Sequence, residues 1–227
     1  MDIKKLITAF VFIGCIVSCN SSNKTEGANV ESTKSDTESI SVEVTKNFTE
    51  IDSDEARIAT ALMAAPAESR DGSKVIGYNM AGEFVTLKEG TNEYICIADD
   101  PDKVGFNAAC YHKSLEPFMA RGRALRAEGK SALEVFDIRE EEAKSGELDM
   151  GKSGATLHIY YGASSLYNLE TAEVEGAQYR YVVYMPWATS ESTGLPEKPL
   201  ASNHPWIMNP GTHRAHIMIS PLVIEKE

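Results

Sequence analysis

The hydrophobic and polar positions divide the chain into three parts. Residues 6–17 form an apolar run behind two lysines, and residues 20–50 are rich in Ser, Thr and Glu without a helical or alternating apolar period. Beyond them, short apolar stretches recur with helical or alternating spacing between turn residues. We predict a signal peptide at residues 1–18, a flexible tether at residues 19–50 and a single folded domain at residues 51–227.

Three segments of the domain carry helix signals. Each opens with a side chain that can accept a hydrogen bond from the first N–H groups of a helix, namely Asp52, Ser114 and Ser131. Asp52 and Ser131 are each followed three residues later by Glu, which is the capping-box pattern. The apolar spacing after Asp52 predicts a helix over residues 53–65, before Pro66.

Short stretches rich in aromatic and β-branched residues predict the strands. They cover residues 74–78, 84–87, 93–98, 156–161, 179–185 and 213–220. The first three are separated by turn residues and predict a meander, in which each strand pairs with the next. The expected fold class is therefore α+β, with a mainly antiparallel sheet of five or six strands and three helices.

The N-terminal segment carries the most specific motif of the chain. Its apolar run is shorter than the roughly 20 residues that a membrane-spanning helix needs, and it ends in Ile-Val-Ser-Cys at residues 16–19. This ending resembles the lipobox of bacterial lipoproteins, whose cysteine receives a diacylglycerol. We interpret Cys19 as the lipid anchor; the alternatives are an ordinary secretory signal cut nearby or an uncleaved anchor. Asn20, in place of Asp, favours the outer over the inner membrane of the cell envelope.

The charge balance restricts the partners. The chain has 22 Lys and Arg against 34 Asp and Glu, a formal net charge of −12. An acidic surface repels phosphate backbones, which argues against nucleic acid as a partner, and leaves the acyl chains to hold the protein at the membrane. The one basic stretch contains Arg121, Arg123 and Arg126. On a helix these point apart, which predicts a solvated face rather than an anion site.

Two cysteines remain for the folded domain, because Cys15 leaves with the signal peptide and Cys19 is acylated. An envelope compartment permits disulfides, and we predict a Cys96–Cys110 bridge. Since a strand pattern ends after Cys96 and a helix signal follows Cys110, the bridge is expected to hold the helical layer against the sheet. The alternative is a catalytic thiol at Cys110, with His112 on the same face of a strand.

The longest irregular segment, residues 186–212, is where we expect a binding site, because loops carry binding groups more often than core elements do. The candidate ligand-binding residues in and just after it are Trp187, His204, Trp206, Asn209, His213 and His216. Tryptophan offers a large apolar face, and His and Asn exchange hydrogen bonds, which suits a small uncharged or sugar-like ligand. The alternative is that Trp206 and Met208 are core residues that close the end of the sheet.

No metal or cofactor is predicted. His213 and His216 are three residues apart, which suits a zinc pair on a helix, but on the predicted strand they point to opposite faces. A bend at the start of that strand would restore the pair. Asp99, Asp100 and Asp102 follow a strand without the ligand spacing of a calcium loop.

Four stretches of the domain form an ordered set of motifs. They read RIATALMAAP at residues 57–66, LKEGTNEYIC at 87–96, ADDP at 98–101 and PWIMNPGTHRAHIM at 205–218. The set resembles a family of uncharacterised secreted bacterial proteins and lipoproteins over about residues 55–220, although residues 162–168 depart from the acidic, Gly- and Asn-rich segment of that family. The resemblance implies a compact envelope domain and no particular activity.

These patterns predict a noncatalytic envelope lipoprotein that binds a small molecule or another envelope protein. The alternative is a hydrolase or metalloenzyme of the envelope that uses His112, His204, His213 or His216 with a neighbouring acid. Convergence of three imidazole or carboxylate groups would favour the enzyme, whereas a dry, His-free aromatic cleft would favour binding.

Overall fold

The computed structural model describes residues 47–222. The predicted signal peptide, the lipid anchor at Cys19 and all of the tether before residue 47 lie outside the described residues. No helix among residues 47–222 has both the length and the apolar character that are needed to cross a membrane.

The strands of the described region form two sheets. They are β1 (Phe48–Glu50), β2 (Lys74–Tyr78), β3 (Phe84–Lys88), β4 (Tyr94–Ile97), β5 (Phe106–His112), β6 (Thr156–Gly162), β7 (Leu166–Asn168), β8 (Gln178–Tyr184), β9 (Trp206–Met208) and β10 (His216–Ile219). Eight of them form one sheet in the order β3–β2–β4–β5–β6–β8–β10–β9, and β1 pairs separately with β7. Every pairing is antiparallel except that of β2 with β4.

The α-helices in this part of the chain are α1 (Asp54–Leu62), α2 (Glu116–Ala127), α3 (Ala132–Ser145) and α4 (Ser190–Thr193). The predicted α+β class with a mainly antiparallel sheet is confirmed. The large sheet has more strands than predicted because it also contains β5 and β9, and β1 and β7 form a further pair outside it. β1, β7 and β9 contain only three residues each, too few to show an alternating pattern.

The two faces of the large sheet carry separate apolar clusters. Alternate residues of β5 point to opposite faces, so Phe106 lies in the cluster with α1, whereas Tyr111 lies in the cluster beneath α2. Both side chains are almost completely buried. Phe118 of α2 contacts the ring of Tyr184 at 5.5 Å, which seats this helix on the central strands.

The expected meander of the first three strands is wrong. β4 lies beside β2 in parallel register, and β3 forms the outer edge of the sheet. The burial of the strands explains this order. Three of the five residues in β2 are buried, whereas those of β3 are exposed or half-buried, and a more polar strand is better tolerated at an edge.

The helix caps differ from the prediction in two of three cases. Ser53, not Asp52, caps α1 by accepting a hydrogen bond from the N–H of Ala56. A 3₁₀ turn at Lys113–Leu115 precedes α2, and there the His112 ring accepts from the N–H of Ser114. The capping box of Ser131 at α3 is present as predicted.

The Cys96–Cys110 disulfide is confirmed, but its structural context differs from the expected one. The two cysteines lie directly opposite each other on β4 and β5, with their Cα atoms 3.9 Å apart, and both are fully buried. The bridge therefore joins two neighbouring strands rather than the helical layer and the sheet. β5 was not predicted as a strand because it contains Asn107, Ala108 and Ala109 in place of β-branched residues.

Candidate functional site

The predicted loop residues are spread over different environments. Trp187 is exposed and has a positive φ of 68°, while Asn209 has a positive φ of 50° and accepts a hydrogen bond from Thr212 through its carbonyl. Trp206 lies in β9 and packs, half-buried, against the core beneath α2. His204 has a buried Nδ1 without a hydrogen-bond partner.

His213 and His216 are both buried. The Nδ1 atom of His213 lies 3.1 Å from a carboxylate oxygen of Glu140, and its ring contacts Phe118 and Phe136. His216 opens β10, so the predicted strand starts three residues later than expected, and its Nδ1 lies 2.7 Å from the carbonyl of Arg214. Burial lowers the pKa of both rings, which favours their neutral forms.

The six candidate residues lie outside the two clefts described below, since none of them lines either cleft. Between residues 47 and 222, no group of three or more His, Cys, Asp or Glu side chains is placed to hold a metal ion. A ligand site at residues 186–212 stays a prediction.

The larger cleft lies between α2 and the face of the sheet and has a volume of about 940 Å³. We call it the α2 cleft. Its floor comes from three neighbouring strands, where Ile97 of β4 lies opposite Ala109 of β5, and Ala109 lies opposite Ile159 of β6. Leu157, two residues before Ile159, points to the same face. The floor is therefore apolar, and each of these side chains is only half-buried.

The walls of the α2 cleft are also mainly apolar. Ala124 and Ala127 of α2 form one wall, and their small side chains leave space above the strands. Tyr78 and Phe84 form the other, with their rings in an edge-to-face contact at 5.3 Å. Phe84 is 44% exposed, which is high for an aromatic side chain of its size.

The rim of the α2 cleft carries charges that are largely paired. Lys103 forms an ion pair with Asp100 at 2.8 Å, and Arg123 one with Glu116 at 2.6 Å. Asp99 accepts a hydrogen bond from the N–H of Asn107 at 2.8 Å, and burial raises the pKa of its carboxyl group. The rim thus supplies hydrogen-bonding groups with little net charge of its own.

Tyr111 links the wall of the cleft to the core. Its hydroxyl donates to Glu116 and accepts from Arg123. Burial is the main cause that raises the pKa of this phenol, followed by the hydrogen bond to Glu116. The resulting network holds Arg123 on the cleft wall, where its guanidinium lies 5.9 Å from the Phe84 ring.

A smaller cavity of about 320 Å³ lies beside β1, α1 and β7. It shares Asp99 and Lys103 with the α2 cleft. Arg57, which is 9% exposed, lines it and donates to the carbonyl of Tyr78. This arginine supports the strand that carries one aromatic wall residue of the α2 cleft.

A separate polar group lies at the start of the 3₁₀ turn. The Nδ1 atom of His112 is 2.9 Å from the Ser114 hydroxyl, and its Nε2 is 3.9 Å from a carboxylate oxygen of Glu93. Lys113 holds the same Glu93 at 2.7 Å. A hydrogen bond from Lys113 is the first cause that lowers the pKa of Glu93. These residues line neither of the two clefts found in the described chain.

The sequence analysis did not find the α2 cleft. Its floor depends on β5, which lacks the usual strand pattern, and its walls come from segments that are far apart in sequence. The signal that was available is the pair of small residues, Ala124 and Ala127, which are three positions apart and therefore lie on one side of α2.

Comparison of the chain with protein-family models, with curated protein sequences and with solved structures finds no match.

Proposed function

We propose that this protein is a noncatalytic binding module of the bacterial cell envelope, which takes a small, largely uncharged amphipathic molecule in the α2 cleft. The observation that carries the proposal is the half-buried apolar floor formed by Ile97, Ala109, Leu157 and Ile159. Ligand sites are typically concave and mainly apolar, with a few polar groups that fix the orientation of the ligand. The α2 cleft has this composition.

The chemistry of the rim supports an uncharged ligand. Because Lys103 and Arg123 are each engaged by a carboxylate, a charged ligand beside them would have to compete with an existing ion pair. Arg126, at the edge of the cleft, is the lining cation without such a partner among the described residues. Asn107 and the Asp99 carboxyl group remain as polar contacts at the mouth. A molecule with an apolar body and one or two hydroxyl or amide groups fits this distribution.

The cellular location in this proposal rests on the N-terminal motif. The run ending in Cys19 supports a lipid-anchored protein of the envelope, with the outer membrane favoured over the inner. The Cys19→Ser chain is expected to lose incorporation of radiolabelled palmitate and to leave the detergent phase. Incorporation equal to that of the unchanged chain would contradict the assignment.

Binding in the cleft is testable with the neutral fluorescent probe N-phenyl-1-naphthylamine. The full chain in neutral detergent is expected to show a saturable rise in probe fluorescence above that of the detergent alone. Ala124→Trp places an indole on the cleft wall and is expected to remove this rise, because Ala124 is exposed and lines the cleft.

Ala132→Trp is the matched control. Ala132 is an exposed helical alanine at the start of α3 and does not line the cleft. This variant is expected to bind the probe like the unchanged chain. Equal binding by both tryptophan variants would place the probe elsewhere and overturn the assignment of the cleft.

A second candidate function is ester hydrolysis by the group around His112. The Ser114 N–H and hydroxyl both lie at Nδ1, so this atom is an acceptor that can take the proton of the serine hydroxyl. The Ser114→Ala chain, assayed with p-nitrophenyl acetate, tests this arrangement. A rate above background that Ser114→Ala abolishes and Ser153→Ala preserves would favour this candidate over the binding module.

A further inference from the structure

Three arginines that lack a carboxylate partner lie close together near α2. They are Arg126 of α2, Arg139 of α3 and Arg214, which lies just before β10. None of them is within ion-pair distance of an acidic side chain among residues 47–222. In a chain with 34 acidic residues, this arrangement is unusual.

Arg139 is the most buried of the three, with an exposure of 5%. Its guanidinium stacks 4.0 Å from the centre of the Phe118 ring and donates to the carbonyl of Phe118 at 3.2 Å. Buried charges in native proteins are normally paired with an opposite charge, since the loss of hydration is otherwise uncompensated. Contacts to a ring and to carbonyls orient this guanidinium without neutralising it.

Gly122 brings Arg126 and Arg139 together. It is buried in α2, and a Cβ atom at this position would lie 2.9 Å from Nη1 of Arg139 and 3.6 Å from Nη1 of Arg126. The two guanidinium groups therefore approach the same point above the helix. Arg126 also donates to the carbonyl of Gly122, which holds its guanidinium close to that of Arg139 at the edge of the α2 cleft.

Arg214 completes the group from the side of the sheet. Its side chain lies within interaction distance of the hydroxyl of Tyr184, a buried residue of β8. Burial, followed by the positive charges of Arg214 and Arg126, lowers the pKa of Arg139 to about 10. The three positive charges thus act on one another across a short distance, and they open to solvent through the exposed Arg126 and the half-buried Arg214.

The neighbouring acidic side chains form ion pairs with other residues. The negative charge of Glu142 raises the pKa of Arg139, but both oxygens of this carboxylate accept hydrogen bonds from Arg121 at 2.6 to 3.0 Å. Glu140 is held by Lys144 at 2.9 Å and by the ring of His213 at 3.1 Å. Neither acid is free to neutralise the three arginines.

We propose that Arg126, Arg139 and Arg214, with the Tyr184 hydroxyl, form a binding site for a phosphate group. A planar guanidinium matches two oxygens of a phosphate, and three of them match a tetrahedral oxyanion from several sides. The phosphate belongs either to a free ion or to the head group of a phospholipid. The site is separate from the α2 cleft, although Arg126 borders both.

The test is calorimetric titration of the full chain, in neutral detergent and at constant ionic strength, with inorganic phosphate. Arg126→Gln and Arg214→Gln are each expected to weaken binding at least about tenfold, which is the effect of losing one hydrogen bond to a charged group. Lys198→Gln removes the same charge from an exposed loop position and is expected to leave the affinity unchanged.

Gly122→Ala tests the buried arginine without removing it. The added Cβ is expected to displace the Arg139 guanidinium and to weaken phosphate binding, while the alanine itself favours the helix. A purely structural role of the three arginines predicts a different result, namely no phosphate binding by the unchanged chain. Equal phosphate affinities of Arg126→Gln, Arg214→Gln and Lys198→Gln would also overturn the proposal.

The source of the phosphate is distinguished by adding phosphatidic acid to the micelles. If phosphatidic acid competes with inorganic phosphate for the unchanged chain but not for Arg214→Gln, the result would support the site and identify a lipid head group as its occupant. Phosphate binding that the lipid does not reduce would support the site and identify the free ion. Binding of the neutral naphthylamine probe in the α2 cleft is expected to be unaffected in Arg214→Gln, so that the two proposals fail independently.

Discussion

Removal of the Cys96–Cys110 disulfide is expected to destabilise the domain without unfolding it. The perturbation is the double variant Cys96→Ala/Cys110→Ala, compared with the oxidised chain and with the same chain in dithiothreitol. Because β4 and β5 are paired at four positions around the bridge, the folded strands keep their register when the bond is absent. The effect is therefore expected to arise mainly in the unfolded chain.

The magnitude follows from the loop that the disulfide closes. The cysteines are 14 residues apart, and in the chain-entropy model a loop of about 15 residues corresponds to about 3 kcal/mol at 25 °C. Globular domains are stable by about 5 to 15 kcal/mol. The variant should thus fold, with a free energy of unfolding lower by about 3 kcal/mol.

Urea unfolding followed by circular dichroism measures this difference. The oxidised chain is expected to have a higher midpoint than the double variant, and a smaller dependence on urea, since a cross-linked unfolded chain exposes less surface. Dithiothreitol should lower the midpoint of the unchanged chain and leave that of the variant as it was.

Two results would refute the reasoning. One is a midpoint of the oxidised chain equal to that of the double variant, which would mean that the bridge does not constrain the unfolded chain. The other is the titration of two free thiols in the native oxidised protein, which would mean that Cys96 and Cys110 are unpaired.

Three further predictions concern single side chains. Ser131→Ala removes the capping box of α3 and should lower the free energy of unfolding by about 1 kcal/mol, whereas Ser153→Ala, at an exposed turn, should leave the urea midpoint unchanged. Tyr111→Phe leaves Glu116 without its buried donor and should cost about 1 to 3 kcal/mol by the same assay. Burial lowers the pKa of His213, so its unfolded form binds protons more readily, and stability should be full above about pH 6.5 and decline below it. Urea midpoints at pH 7.5 and pH 5 should differ less in His213→Gln than in the unchanged chain; an equal difference would contradict this assignment.

Helices α1 to α3 and the longer strands other than β5 were predictable because each has a local signal. Ser131 and its following Glu mark α3, and the boundaries of β2 coincide with the apolar stretch at residues 74–78. The disulfide was predictable by counting cysteines. Its position between adjacent strands was not, because β5 carries Ala108 and Ala109, which have no strand preference. Ala108 lies in the buried cluster with α1, and Ala109 lies on the floor of the α2 cleft.

The two sites proposed from the structure had no comparable local signal. Helical spacing correctly indicates that Arg121, Arg123 and Arg126 diverge, since the first two bind different glutamates. Arg126 then meets Arg139 and Arg214, which come from other elements of the chain. Only tertiary structure creates such a group, because the periodicity of one helix carries no information about the side chains packed against it.

The short pairing of β1 with β7 determines how the domain responds to a pulling force. It consists of three residue pairs, from Phe48 opposite Asn168 to Glu50 opposite Leu166, and stands apart from the large sheet. Tension applied to the chain ahead of Phe48 reaches these pairs first and α1 next, before any strand of the eight-stranded sheet. The N-terminal strand can therefore peel away under load while the bridged strands β4 and β5, and both proposed sites, stay folded.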